Sequence, residues 1–431
     1  MTPASKSHAA FRGAVVRCTW GALLLAAGSV SLADEPGDAP ELQFVAGYTG
    51  DLRRNTTGGL DVGTVYSEEL DLGLTWNTRL FGNRVTTNLA VMYIGGDGVS
   101  EQLVGDLQAI NNIEGPNGWK LYESWVEIAF GERAGSVRAG VLDLNAEFDT
   151  PVSQGLFTSS PFGVGTEFSQ TGVRGPGIWP ITGLGVRASG NVTDQLVWRA
   201  GAYDAAPGTD DDAFTSLEIS GEEGALLIGE LEYSSERVHK ASIGGWAYTA
   251  AFERIDAALL ANPAPEHGNH GFYASFDTAL GTLADVDFDG SVRAGTAPAH
   301  FNVVDRYVGA ALTATHLWKS RPGDALGLGI AWAHIGAPYR AVSEFDGAPA
   351  TSAETVVELV YRAELAPWIA LVPNVQFVDS PGAVHGVDDS WVIGMRFELA
   401  TEHGWHLAAR QEQPGDDVYA RRIAAEPRGK K

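Results

Sequence analysis

Leu70, Leu72, Leu74 and Trp76 are interleaved with Asp71, Gly73 and Thr75. This alternation limits the possible folds more than any other feature of the chain. Successive side chains of a strand point to opposite faces, so a period of two marks an extended segment with one apolar and one wet face. The pattern recurs at Tyr122, Ser124, Val126, Ile128 and Phe130, set against Glu123, Trp125, Glu127 and Ala129. Leu326, Leu328, Ile330 and Trp332 alternate with Gly and Ala. Thr355, Val357, Leu359, Tyr361, Ala363 and Leu365 oppose Val356, Glu358, Val360, Arg362 and Glu364. Trp391, Ile393, Met395, Phe397 and Leu399 oppose Val392, Gly394, Arg396 and Glu398. The chain is therefore all-β.

Alternation alone does not say which face is outside. In a soluble sandwich the charged face meets water, and in a membrane barrel the sense inverts. Two features favour the barrel. Trp76, Phe130, Tyr233, Trp332, Tyr361, Phe377 and Trp391 stand at or near the ends of these runs, where a transmembrane barrel carries its aromatic girdles. The first 33 residues also read as a signal peptide: a basic start with Lys6, Arg12 and Arg17, an apolar run from Trp20 to Leu32, and small residues at Ser31 and Ala33. Cleavage after Ala33 removes those three bases and the only cysteine, Cys18, so the net charge falls from −25 to −28. The exported chain then has no thiol for a disulfide or a metal. So acidic a protein is a poor ligand for nucleic acid and suits cations or neutral solutes.

About 398 residues would remain, enough for two or three soluble domains, yet no linker or internal repeat divides them and Gly is spread along the whole length. One continuous architecture is expected: a barrel over residues 34–399, with 400–431 as a C-terminal extension of unknown role. Gly131–Gly135 and Gly190–Asp194 read as tight turns. Between them, 145–183 lacks strand periodicity and carries Phe148, Phe157, Phe162, Phe168 and Trp179. A loop so long and so aromatic needs a packing site, and inside a water-filled barrel that site is the pore wall.

Several collinear segments resemble the carbohydrate-selective porins of the OprB type: Gly47-Tyr-Thr-Gly-Asp-Leu52, Gly105-Asp-Leu-Gln108, Leu121-Tyr-Glu-Ser-Trp125, Arg138-Ala-Gly-Val-Leu-Asp143, Gly155-Leu-Phe157, Gly185-Val-Arg187, Glu354-Thr-Val-Val-Glu-Leu359 and Gly394-Met-Arg396. The likeness runs from about residue 45 to 399 and is weakest between about 205 and 320. It implies a monomeric transmembrane antiparallel β-barrel of about 16 strands and passive uptake of mono- and disaccharides. Small sugars would be the permeating solutes, and outer-membrane lipid and lipopolysaccharide the surroundings. No cofactor is implied. The chain departs from the usual barrel in ending 32 residues beyond Leu399, on a basic tail.

A sugar presents hydroxyls on its rim and C–H groups on its faces, so carboxylates, guanidinium groups and aromatic rings are the side chains that replace its water. On the wet faces these are Glu123, Trp125, Glu127, Arg138, Arg187, Arg362, Glu364 and Arg396. Asp143, Glu147 and Arg174, on or beside the long loop, are candidates for the constriction. Other motifs are weaker. Gly183-Leu-Gly185-Val-Arg-Ala188 fits a dinucleotide fingerprint but opens a strand, not a helix. Asp285-Val-Asp-Phe-Asp-Gly290 copies the start of a calcium loop but has Thr296 where the bidentate Glu belongs. His267 and His270 have no further ligands nearby. No nucleophile motif is present, which argues against an enzyme. The competing readings are a general or cation-preferring diffusion porin and a secreted all-β sugar-binding protein or enzyme.

Overall fold

The computed structural model describes residues 41–131, 135–208, 224–261 and 263–400. The signal-peptide segment and the tail after Ala400 lie outside the described residues. Within them, sixteen strands form one closed antiparallel sheet: β1 (Glu41–Thr57), β2 (Gly63–Leu80), β3 (Asn83–Gly96), β4 (Gly118–Ala129), β5 (Ser136–Leu142), β6 (Gly183–Asn191), β7 (Leu196–Asp204), β8 (Ala225–Tyr233), β9 (Val238–Tyr248), β10 (His270–Leu283), β11 (Val286–Thr296), β12 (Val304–Thr315), β13 (Ala325–Ile335), β14 (Ala353–Ala366), β15 (Ile369–Asp379) and β16 (Ser390–Ala400). Each strand pairs with its sequence neighbour, and β1 closes on β16 from Gly47 opposite Ala400 to Thr57 opposite Trp391. Closure leaves no edge, so every strand's backbone groups find partners without water, as lipid demands.

The two faces are sorted as a membrane requires. Leu42, Trp76, Ile243, Phe272, Leu328 and Ile393 point outward and are exposed, whereas Asp51, Arg53, Asp277 and Glu358 point inward and are fully buried. That is the reverse of a soluble sandwich. Trp76, Phe130 and Tyr233 mark one rim of the apolar band; Trp332, Phe377 and Trp391 mark the other. On the outward face of β2, Glu68 accepts a 2.6 Å hydrogen bond from the Tyr48 hydroxyl beside Tyr66.

Strand ends are joined tightly at one rim, with Phe81-Gly82, Ala284-Asp285 and Pro367-Trp368 as two-residue connections. Gly82 has φ +80°, the left-handed conformation such a turn needs. The other rim carries long loops, including 97–117, 143–182, 249–269 and 336–352. By the usual arrangement of such barrels, the short turns are periplasmic and the long loops extracellular.

One face assignment is corrected. Tyr122 is the extra residue of a bulge, since Ala90 pairs with Glu123 while Val91 pairs with Leu121. The bulge turns Tyr122 inward, so it shares the lumen with Glu123, Trp125 and Glu127, not the lipid face with Val126 and Ile128. The calcium-loop likeness dissolves too: Asp287 and Asp289 lie on β11, where Asp289 pairs with His239 and Asp287 with His316, so the carboxylates do not converge.

The 143–182 loop does enter the barrel. It crosses from β5 to the far wall, where Leu156, Phe157 and Phe162 lie against β13. That wall is lined by Gly327, Gly329, Ala331 and Ala333, whose small size makes the room. A Cβ at Gly329 would come within 2.6 Å of the Phe162 ring. Phe168, on a short helix (Thr166–Ser169), stacks on Trp246 at 5.2 Å. A second loop, 97–117, also folds inward and buries Val99, Leu103, Val104 and Ile110 against β14–β16. Sequence periodicity gave no sign of this second plug.

Candidate functional site

With two loops inside, the lumen is narrow, and its polar groups fall into clusters along the wall. The cluster nearest the root of the long loop is built on β4, β5 and β6. Glu127, Arg138 and Arg187 sit opposite one another in register, Glu127 facing Arg138 and Arg138 facing Arg187. The loop adds Glu147. Arg138 bridges Glu127 and Glu147, each at 2.7 Å. Arg187 reaches Glu127 at 3.2 Å and Glu147 at 2.6 Å. Two guanidinium groups and two carboxylates thus form a closed ring in which each charge has two partners of opposite sign.

Trp125 lies beneath this ring. The Arg138 guanidinium sits 3.9 Å from the indole centroid, a cation–π contact that covers that face of the ring. Trp125 therefore holds Arg138 in place from one face while Glu127 and Glu147 hold its edge. Glu123 accepts from the Asp143 backbone N–H at 3.3 Å, and Asp143 accepts from the Tyr122 hydroxyl at 2.5 Å. Burial pushes the Asp143 carboxyl up to about 7.

The remaining predicted residues lie elsewhere. Arg362 bonds Glu398 at 3.2 Å and Glu364 at 3.4 Å, a separate group on β14 and β16. Arg396 donates to Asp51 (2.9 Å), Asn111 (2.9 Å) and Asn112 (2.7 Å), tying the second loop to the wall. Arg174 leaves the lumen cluster and donates to the backbone oxygens of Ala206 and Gly208.

Several lumen residues were not among the expected solute contacts, although Glu358 stood on a wet face of the sequence pattern. Arg53 shares Asp51 with Arg396 and donates to Gln376 and the Ile110 carbonyl, both at 2.7 Å. Arg199 and Lys240 meet Glu230 and Glu232, a second group of two cations and two anions, on β7–β9. Glu358 accepts from the backbone N–H and hydroxyl groups of Thr158 and Ser159 at 2.6–3.0 Å. Arg293 holds Asp149 and Glu167 of the long loop. Each is a charged residue at a wet position of a strand, the same signal that selected Arg362. They fall largely in the third of the chain where the family likeness is weakest, or pair over long sequence distances.

Taken together, a closed sixteen-stranded barrel, apolar outside and charged inside, narrowed by inward loops, defines an outer-membrane diffusion pore. The family profile described as "Carbohydrate-selective porin, OprB family" matches residues 63–400, and the chain belongs to that family. It is 24% identical to Porin B of Pseudomonas aeruginosa over 82% of this chain and 86% of that protein. It is also 24% identical to the putative porin QuiX of Acinetobacter baylyi over 85% of this chain and 92% of that protein. Among solved structures, the high-pH structure of Pseudomonas putida OprB superposes with a TM-score of 0.75 at 21% identity, covering 84% of this chain and 94% of that one, which shows the shared fold.

Proposed function

We propose that this outer-membrane porin passes neutral mono- and disaccharides by passive diffusion into the periplasm, with the Glu127–Arg138–Glu147–Arg187 ring as the polar edge that a sugar meets at the constriction. The single observation that carries this reading is that ring: it joins the inward loop to the wall, and its N–H and carboxylate groups match the mixed donors and acceptors of a sugar's hydroxyls. No bond is made or broken. The pore needs contacts strong enough to replace water and weak enough to release the solute. Asp143 and Glu123 border the ring, while Arg362, Glu364 and Arg396 act on the opposite wall.

The barrel closes with its own strands, so a monomer suffices for conduction, and lipopolysaccharide would surround its outer rim. Residues 1–33 serve as the cleaved export signal. The test is entry of glucose and a disaccharide into proteoliposomes carrying wild type, Glu147→Gln or Arg138→Gln protein. Both variants should slow sugar entry several-fold while a polyol of similar size is slowed less. Equal effects on sugar and polyol would leave the ring a purely structural device.

A further inference from the structure

We infer that this pore selects by charge as well, admitting neutral sugars and protonated amino sugars and holding back sugar acids. The inference rests on the sugar-porin reading and adds a substrate class to it.

The first observation is the asymmetry between the two rims. At the long-loop end, Asp61, Asp97, Glu101, Asp388 and Asp389 are all exposed. Their loops are tied into one sector: Gly59 N–H donates to the Asp388 carbonyl at 2.9 Å, Asp61 N–H to the Leu103 carbonyl at 3.0 Å, and Gln102 Nε2 to Asp97 Oδ1 at 3.0 Å. Among the described residues, the bases in the loops of this end are Arg174, Arg254 and Arg340. Arg254 is held by Asp256. At the opposite end, among the described residues, Arg237, Lys319 and Arg321 stand in the turns against Asp194, Glu236, Asp285 and Asp324. One mouth is acidic and the other close to balanced.

The second observation lies inside. Arg293 faces two carboxylates, Asp149 and Glu167, and Arg362 faces Glu364 and Glu398. Glu358 is satisfied by the neutral N–H and O–H donors of Thr158 and Ser159, which stabilise its charge without cancelling it. One group runs the other way, Arg53 and Arg396 sharing Asp51. The two four-membered groups on β4–β9 are neutral. The balance along the pathway is negative, and a narrow channel with apolar surroundings focuses that potential. A carboxylate on an entering sugar meets repulsion at the rim before it can reach a guanidinium, while an ammonium group is concentrated there.

The test uses the full-length exported protein. In planar bilayers under a KCl gradient, the reversal potential should have the sign of K⁺ preference, with a permeability ratio of about threefold or more at low ionic strength, falling as salt screens the rim. In proteoliposomes, glucosamine should enter faster than glucuronate at equal concentration, with glucose between them. The variant Asp61→Asn/Asp97→Asn/Glu101→Gln/Asp388→Asn should move the reversal potential towards zero and leave glucose entry unchanged. Anion preference, equal entry of the amino sugar and the sugar acid, or an unmoved reversal potential in that variant would overturn the inference, all with glucose entry intact. Wild-type protein that passes glucose no faster than a size-matched polyol would overturn the sugar reading itself, and this inference with it.

Discussion

Arg293 on β11 and Glu167 on the inward loop are joined by two hydrogen bonds of 2.7 Å, although 126 residues separate them, and both side chains are fully buried. The same guanidinium holds Asp149 at 2.9 and 2.5 Å, and the Tyr307 ring lies 4.9 Å beneath it. Gly165 and Gly295 leave the space for this packing: a Cβ at Gly165 would overlap Arg293 and one at Gly295 would overlap Glu167. One arginine thus pins both halves of the constriction loop to the barrel wall.

Arg293→Gln should release that loop. Removing the cation leaves two buried carboxylates uncompensated, a cost of about 3–5 kcal/mol, which detachment of the loop relieves while the strand ladder stays paired. Single-channel conductance should rise and solutes larger than a disaccharide should enter. Unchanged conductance in a folded variant would show that Glu358 and the aromatic contacts hold the loop without Arg293.

The Gly329→Leu variant probes the same loop from its apolar side. Since even a Cβ there approaches the Phe162 ring to 2.6 Å, the larger side chain should displace 157–164 and raise amide exchange in that segment while β13 remains protected. Exchange confined to β13 would instead mean that the strand yields and the loop does not.

These contacts also show what was readable in the chain. Strands such as Leu70–Trp76 and Trp391–Leu399 declared themselves because lipid outside and water inside impose opposite residue types at every second position. The inward path of 143–182 was readable from its five aromatics. Tyr122 was misplaced because a bulge breaks the period of two without any Gly or Pro to mark it. The second plug, 97–117, was missed because its burial rests on scattered aliphatics and on Arg53, Arg396, Gln376 and Glu354 from distant strands. The Glu127–Arg138–Glu147–Arg187 ring was half visible: its members stood on the wet face, but which charges meet depends on strand register.

Glu114 gives a pH dependence to that second plug. It accepts from the backbone N–H of Val99 at 2.6 Å and of Ser100 at 3.1 Å, and burial, with the Asp106 charge nearby, pushes its carboxyl from 4.5 up to about 7. An acid whose value is raised in the fold contributes stability below its unfolded value and loses it as pH rises through the folded one. The plug should therefore be tightest below about pH 4.5 and loosen progressively up to about pH 7. Amide exchange of 99–104 followed between those limits checks this, and Glu114→Gln should make the profile shallower, leaving the part due to Asp106, whose carboxyl burial raises to about 6. A plug that loosens on acidification would reverse the sign.

The central claim is that this barrel sorts solutes by their chemistry and not by size alone. Its most direct test is the swelling rate of proteoliposomes containing the wild-type protein, in glucose, a disaccharide, an amino acid and non-sugar polyols of hexose and of disaccharide size. The account predicts that glucose and the disaccharide each enter faster than non-sugar solutes of matching size. Rates that fall in order of molecular size alone would contradict it and leave a general diffusion pore whose lumen charges serve only to hold the loops in place.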